Sequence, residues 1–211
     1  MNTSILPALQ WRYATKGFNP EKKVSESELN SLLEAARLAP TSLGVQPWKA
    51  YVVTNKEVRA QLKSAAWNQP QVSDASHLVI FTVRKTIDEA YVDRLMKIVA
   101  ETRNQKLEET NGYKQMILGS IKGKSSAEIK EWSARQAYIA LGFLLESAAL
   151  MSIDACPMEG FNTAQFDKIL GLDKTEYTSV VMAAIGYRSE EDKYAKAPKV
   201  RFCKEELFQM V

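Results

Sequence analysis

Apolar positions along the chain repeat with two periods, and the switching between them lays out the elements. Leu29, Leu32, Leu33 and Ala36 recur at helical spacing, and Ser25 with Glu28 ahead of them fits a capping box, so 25–38 reads as a helix. WKAYVVT (48–54) reads as a strand. HLVIFTV (77–83) is a continuous apolar run, the pattern of a buried strand. YTSVVMAAIGY (177–187) is the strongest strand pattern in the chain. NKEVRAQLKSAAW (55–67) suits a helix capped by Asn55, and NQPQVSD (68–74) breaks it. Residues 3–13 suit a short helix, followed by a loop over 14–24 with Gly17 and Pro20.

The second half is less even. Within 86–130, IDEAYVDRLMKIVAETRNQK looks helical, but KQMILGSIKGKSS has no clear period, and the region reads as a mobile excursion. Residues 127–151 form one long helical pattern, apolar almost all round in its second half, which belongs at the centre of a protein or at an interface. SIDACPMEGF (152–161) reads as a strand entering a turn. Asn162 suits the cap of a short helix ending at Gly171, and the tail after 187 is polar, with basic residues Lys196, Lys199 and Arg201.

Length and charge narrow the function. A chain of 211 residues suits a single domain, 1–211, and no Gly/Ser linker divides it. A net charge of +3 argues against a nucleic-acid binder working through bulk charge, yet leaves room for a local basic pocket. Cys156 and Cys203 make no disulfide framework and no CxxC pair, and His77 alone gives a metal site or Ser-His triad almost no material. His77 reads as a packing or hydrogen-bonding residue. The N-terminus lacks a signal-peptide pattern and the most apolar long segment carries Glu146, so a cytoplasmic protein without a membrane span is expected.

Candidate chemistry sits in loops. GSIKGKS (119–125) has three residues between its glycines where a P-loop needs four, and no GxGxxG follows a strand. Four other stretches remain: RYATKGF (12–18), APTSLGVQPW (39–48), NQPQ (68–71) with PMEGF (157–161), and KVR (199–201). Arg12, Lys16, Lys199 and Arg201 are cations in loop contexts, suited to a phosphate. Asn68 and Gln71 both donate and accept, as a heterocycle with alternating N–H and C=O groups requires. Each stretch alone is more simply a turn or a solvated charge.

Together, in this order, RYATKGF, the PTSxxxQPW loop and the Pro-x-Glu-Gly-Phe turn after the long helix resemble the FMN-dependent nitroreductase family, in its oxygen-insensitive NAD(P)H nitroreductase branch. The resemblance runs from about residue 3 to 203 and implies an α+β fold. It further implies a central, mainly antiparallel sheet flanked by helices, in an intertwined homodimer with FMN at the interface. Arg12, Lys199 and Arg201 would hold the FMN phosphate. Lys16 and Gln71 would lie near the N1–C2=O edge of the flavin, and Asn68 near N3–H and C4=O. The backbone of Glu159 and Gly160 would approach N5, with no side chain acting as nucleophile or general base. Thr41, Ser42 and Gly44 would lie along the flavin, with Pro40 and Pro47 holding their loop rigid. Tyr13, Ala14, Leu43, Pro157 and Met158 complete the implied cofactor-binding set, and no metal is implied.

The implied activity is ping-pong. NAD(P)H reduces FMN, and a nitroaromatic or quinone then takes two electrons over the same ring. Residues 107–124 would form a lid, and the tail 188–211 would contact the partner chain. Departures from the family fall on the pocket: Ala14 and Leu43 where relatives carry hydroxyls, and Gln71 where some carry Lys. Enal, pteridine or other acceptors, reductive dehalogenation, and a flavin-binding protein with little turnover stay open.

Overall fold

The two most apolar stretches occupy the middle of the sheet. The computed structural model describes residues 4–211, and in it β1 (Trp48–Val53), β2 (His77–Arg84), β3 (Asp154–Met158) and β4 (Tyr177–Gly186) form one sheet in the order β1-β2-β4-β3. All three pairings are antiparallel, with a register shift between Phe81 and Thr82. Side chains of β2 and β4 alternate between two cores. Val79, Phe81, Val83, Val181, Ala183 and Ile185 join one, and Leu78, Ile80, Met182 and Ala184 the other. Both faces are covered, which is why these strands read as continuous apolar runs.

The helices are α1 (Ile5–Trp11), α2 (Glu26–Arg37), α3 (Lys56–Ala65), α4 (Gln71–Asp74), α5 (Glu89–Arg103), α6 (Asn111–Ile121), α7 (Ser126–Leu150), α8 (Thr163–Ile169) and α9 (Lys204–Leu207). Leu32 and Ala36 of α2, with Ala137, Ala140 and Leu144 of α7, cover one sheet face. Leu62 of α3, Val72 of α4 and Phe166 of α8 cover the other. Ser25 and Glu28 form the expected reciprocal cap, and Asn55 and Asn162 accept the orphan N–H groups at the starts of α3 and α8.

Four expectations change. Residues 68–74 hold the single helical turn α4 rather than an unbroken loop. KQMILGSIKGKSS is mostly helical, because α6 buries Ile117 in a third core with Ile87, Val92, Leu95 and Met96. Helix α7 begins one residue earlier than its pattern suggests, under a capping box of Ser125 and Glu128 that its sequence does spell out. The first helix narrows to Ile5–Trp11, and residue 3 of its expected span lies outside the described residues.

Candidate functional site

Residues 12–18 are pinned alongside the sheet. Ala14 bridges to Ala155 of β3, and Phe18 bridges to Arg188. Asp192 fastens the turn between them: its Oδ2 accepts from the backbone N–H of Lys16 at 2.8 Å, of Gly17 at 2.9 Å and from the Tyr13 hydroxyl at 2.9 Å. Burial raises the Asp192 carboxyl, but these bonds and one from Tyr194 outweigh burial and hold it below the ordinary carboxylate range. Tyr13 is pushed up to about 12 by burial and then by Asp192, so it remains a neutral donor. A second carboxylate, Asp154, accepts from Arg188 Nε at 2.8 Å and from Thr15 Oγ1 at 3.2 Å, tying the same segment to β3.

This scaffold carries the first cluster of candidate residues into one cleft. Arg12, Tyr13, Ala14, Lys16, Pro157, Lys199 and Arg201 line a hollow of about 500 Å³ between the N-terminal segment and the tail. No Asp or Glu is among its lining residues. Lys199 Nζ donates to the Arg12 carbonyl, and Arg201 donates to the Val200 carbonyl at 2.6 Å. Burial and then Arg201 disfavour the Arg12 cation; burial, Arg12 and Arg201 do the same to Lys199. Three cations that repel one another and face no carboxylate in their cleft form a site that an anion would relax.

Behind the cleft, Lys16 Nζ lies 3.5 Å from Cys156 Sγ. Burial raises the Cys156 thiol, opposed by Lys16 and by a hydrogen bond with Gln71, which makes it a neutral packing thiol rather than a nucleophile. Gln71 is only 4% exposed, yet its Oε1 has no hydrogen-bond partner. A buried amide oxygen left without a donor is expensive, and it marks a place for a ligand N–H.

Pro157 also borders a second, more apolar cleft of about 490 Å³, with Met158, Glu159 and Tyr138 and Leu145 of α7. The Tyr138 hydroxyl donates to Glu159 Oε1 at 2.6 Å, so that carboxylate is occupied. Burial and this bond raise the Tyr138 phenol. The turn at Gly160 touches the segment carrying Asn68: Gln69 Nε2 donates to the Gly160 carbonyl at 2.7 Å. A Cβ at Gly160 would lie 2.8 Å from the Trp67 ring. Trp67 and Asn68 adopt left-handed backbone, with φ of 53° and 57°, and Trp67 is 69% exposed.

The loop over 41–46 is built separately. Gln136 of α7 accepts from Ser42 N–H at 2.8 Å, and Tyr113 of α6 donates to the Leu43 carbonyl at 2.6 Å. Leu43, Gly44 and Gln46 all have positive φ. Thr41, Ser42, Leu43 and Gly44 do not line the Arg12 cleft.

Comparison with known proteins decides the family. The Nitroreductase family model matches residues 9–187. The chain belongs to the nitroreductase family. A provisionally named NAD(P)H nitroreductase of Staphylococcus epidermidis is 37% identical over 213 residues, covering 93% of each chain. The fold matches a provisionally assigned Bacillus subtilis nitroreductase, ydfN, with a TM-score of 0.86 at 21% identity over 98% of both chains. It also matches a nitroreductase-type protein of Exiguobacterium sibiricum, solved in complex with FMN, with a TM-score of 0.83 at 23% identity over 99% and 98% of the chains.

Within this nitroreductase-family chain, sequence reasoning missed the residues that hold the site rather than face it. Asp192, Asp154 and Gln136 each act on backbone far away in sequence, and nothing local marks them. Tyr113 and Gln69 were within reach: the first directly precedes the segment without a clear period, the second lies beside the two amides singled out.

Proposed function

We propose that the chain is an FMN-dependent NAD(P)H oxidoreductase that reduces nitroaromatic or quinone-type acceptors by two electrons. The observation that carries this reading is the convergence of Arg12, Lys199 and Arg201 on a cleft without a carboxylate, backed by the orphaned oxygen of Gln71. The donor set fits FMN. Three cations suit its phosphate, and Gln71 Oε1 suits an N–H of its ring. When bound, FMN supplies hydride chemistry between a nicotinamide and a flat acceptor.

The chain's own groups position and tune. Arg12, Lys199 and Arg201 hold the phosphate and fix the register. Lys16 offers a positive charge to the pyrimidine edge of the ring, beside the neutral amide of Gln71, and Asn68 offers a further amide. Gly160 and Glu159 contribute backbone, since the Glu159 carboxylate is already bonded to Tyr138.

The reading includes a homodimer. Tyr138, Ile139 and Phe143 leave an apolar stripe exposed along α7, and Phe202, Leu207, Phe208 and Met210 are exposed in the tail. A partner chain placed over α7 would cover the stripe and bring its own 41–44 loop to the cofactor, with residues 107–124 as a lid. The test is an absorption spectrum of the purified protein, repeated after anaerobic NADH or NADPH, alongside the Arg12→Ala/Arg201→Ala variant. Flavin bands that bleach, and are lost in the folded double variant, are expected. Wild-type protein that neither carries nor takes up FMN would overturn the reading.

A further inference from the structure

A second cationic hollow, of about 670 Å³, opens where β1 ends and β2 begins. Lys23 lines it from the loop before α2, Lys56, Arg59 and Lys63 from α3, and His77 from the start of β2. Glu21 is the one acid among its lining residues. None of its lining residues lines the Arg12 cleft.

Two of these four charges are held in place. Arg59 is 5% exposed and donates to the carbonyls of Val72 at 2.7 Å, Ala75 at 2.6 Å and Ser76 at 3.1 Å. It therefore ties down the chain leaving α4, while its charge, which a guanidinium does not lose, stays in the wall of the hollow. Lys63 Nζ is set by Ser73 Oγ at 2.9 Å. Among the described residues, none of these four Lys and Arg side chains is in an ion pair. Ser76 Oγ accepts from Val24 N–H at 2.8 Å and meets His77 Nδ1 at 3.0 Å. With the serine hydrogen on Nδ1, the imidazole carries its own proton on Nε2, as a donor.

We propose that this hollow binds a phosphate-bearing small molecule, with Lys23, Lys56, Lys63 and His77 as contacts and Arg59 as fixed background charge. A single carboxylate would answer one of four full charges, whereas a phosphate brings close to two charges and several acceptor oxygens. Lysine ammonium groups suit it as point charges on flexible stems. The volume exceeds that of bare phosphate and leaves room for the rest of an ester.

His77 is the only histidine in the chain, so it reports the site through a single imidazole resonance. Burial, Arg59 and Lys23 hold its pKa below the ordinary value. Lys56, Lys63 and Glu21 also line the hollow, and Asp74 lies beside Ser73. A bound anion opposes the repulsion and raises the His77 pKa, so the imidazole is more protonated with the anion bound than without it.

The experiment is a histidine NMR titration of the purified, flavin-loaded protein with pyrophosphate, at ionic strength fixed with sodium chloride. A saturable shift, an upward move of the His77 pKa, and affinity weakened about tenfold or more by Lys56→Gln/Lys63→Gln are expected. These lysines lie outside the flavin cleft, so the variant should keep its flavin spectrum. Absence of a saturable shift overturns the proposal. So does a shift that survives Lys56→Gln/Lys63→Gln at unchanged affinity, which would place the anion away from these lysines.

Discussion

Replacing Asp192 by Ala should unfasten the Arg12 cleft without replacing any residue that lines it. The carboxylate accepts from four groups: Tyr13 Oη, the N–H of Lys16 and of Gly17, and the N–H of Tyr194. Hydrogen bonds to a charged acceptor contribute about 1.5–3 kcal/mol each. Four of them would sum to well above 5 kcal/mol, but Tyr13 is half-buried and Lys16 exposed, and water can replace some of what is lost. We expect a loss of about 3–5 kcal/mol, a large share of a typical domain's total. Urea denaturation of the FMN-free protein measures it.

The pH dependence has a definite sign. The Asp192 carboxyl is depressed in the folded state. Its contribution is therefore complete above the unfolded carboxylate value of about 4 and disappears as pH falls through the lower folded value. The gap between wild type and Asp192→Ala should stay constant from pH 8 to 6 and close in acid. FMN affinity should fall as well, because residues 13–17 carry part of the cleft lining. A loss below about 1 kcal/mol with unchanged FMN affinity would refute the fastening role.

Two further outcomes test other parts of the site. Gly44→Ala places a side chain at φ 53°, with its Cβ 3.0 Å from Tyr113 Oη, and should cost about 1–2 kcal/mol by thermal or urea melts, whereas a neutral result would mean the 41–46 loop relaxes freely. Gln71→Lys adds a cation beside Lys16 and should raise the flavin midpoint potential; about 2 kcal/mol, the scale for charges near 8 Å at an effective dielectric of about 20, corresponds to about 40 mV for two electrons. An unchanged or lowered potential in dye-equilibrium titration would place Gln71 away from the ring.

The sequence discloses elements whose causes are local. Ser25 with Glu28, Asn55 and Asn162 each cap a helix within three residues of themselves, so their signals survive without tertiary knowledge. β2 and β4 are legible because both faces are buried. α6 is not, because Gly112 and Gly119 dilute its pattern and no side chain caps its start. Packing against α5, with Ile117 buried and Tyr113, Leu118 and Ile121 partly so, makes it a helix. The same division holds at the site. Arg12, Lys16, Lys199 and Arg201 stand out as unpaired loop cations, but Asp192 reads as one acid in a polar tail. Its role depends on N–H groups 175 and 176 residues away.

That separation bears on how the cleft works. Arg12 comes from one end of the chain and Lys199 and Arg201 from the other, with the whole sheet between them in sequence. Cations that repel one another gain nothing by gathering, so their meeting must be imposed by the fold. The parallel bridge from Ala14 to Ala155, Asp154 on Thr15 and Arg188, and Asp192 on the turn at Lys16 and Gly17 impose it. Each anchor ties the segment to β3, to Arg188 after β4, or to the tail, so the cationic cleft is complete only when the sheet is. A ligand that neutralises the three charges then stabilises the whole domain rather than a loop, since it binds the folded chain and not the unfolded one.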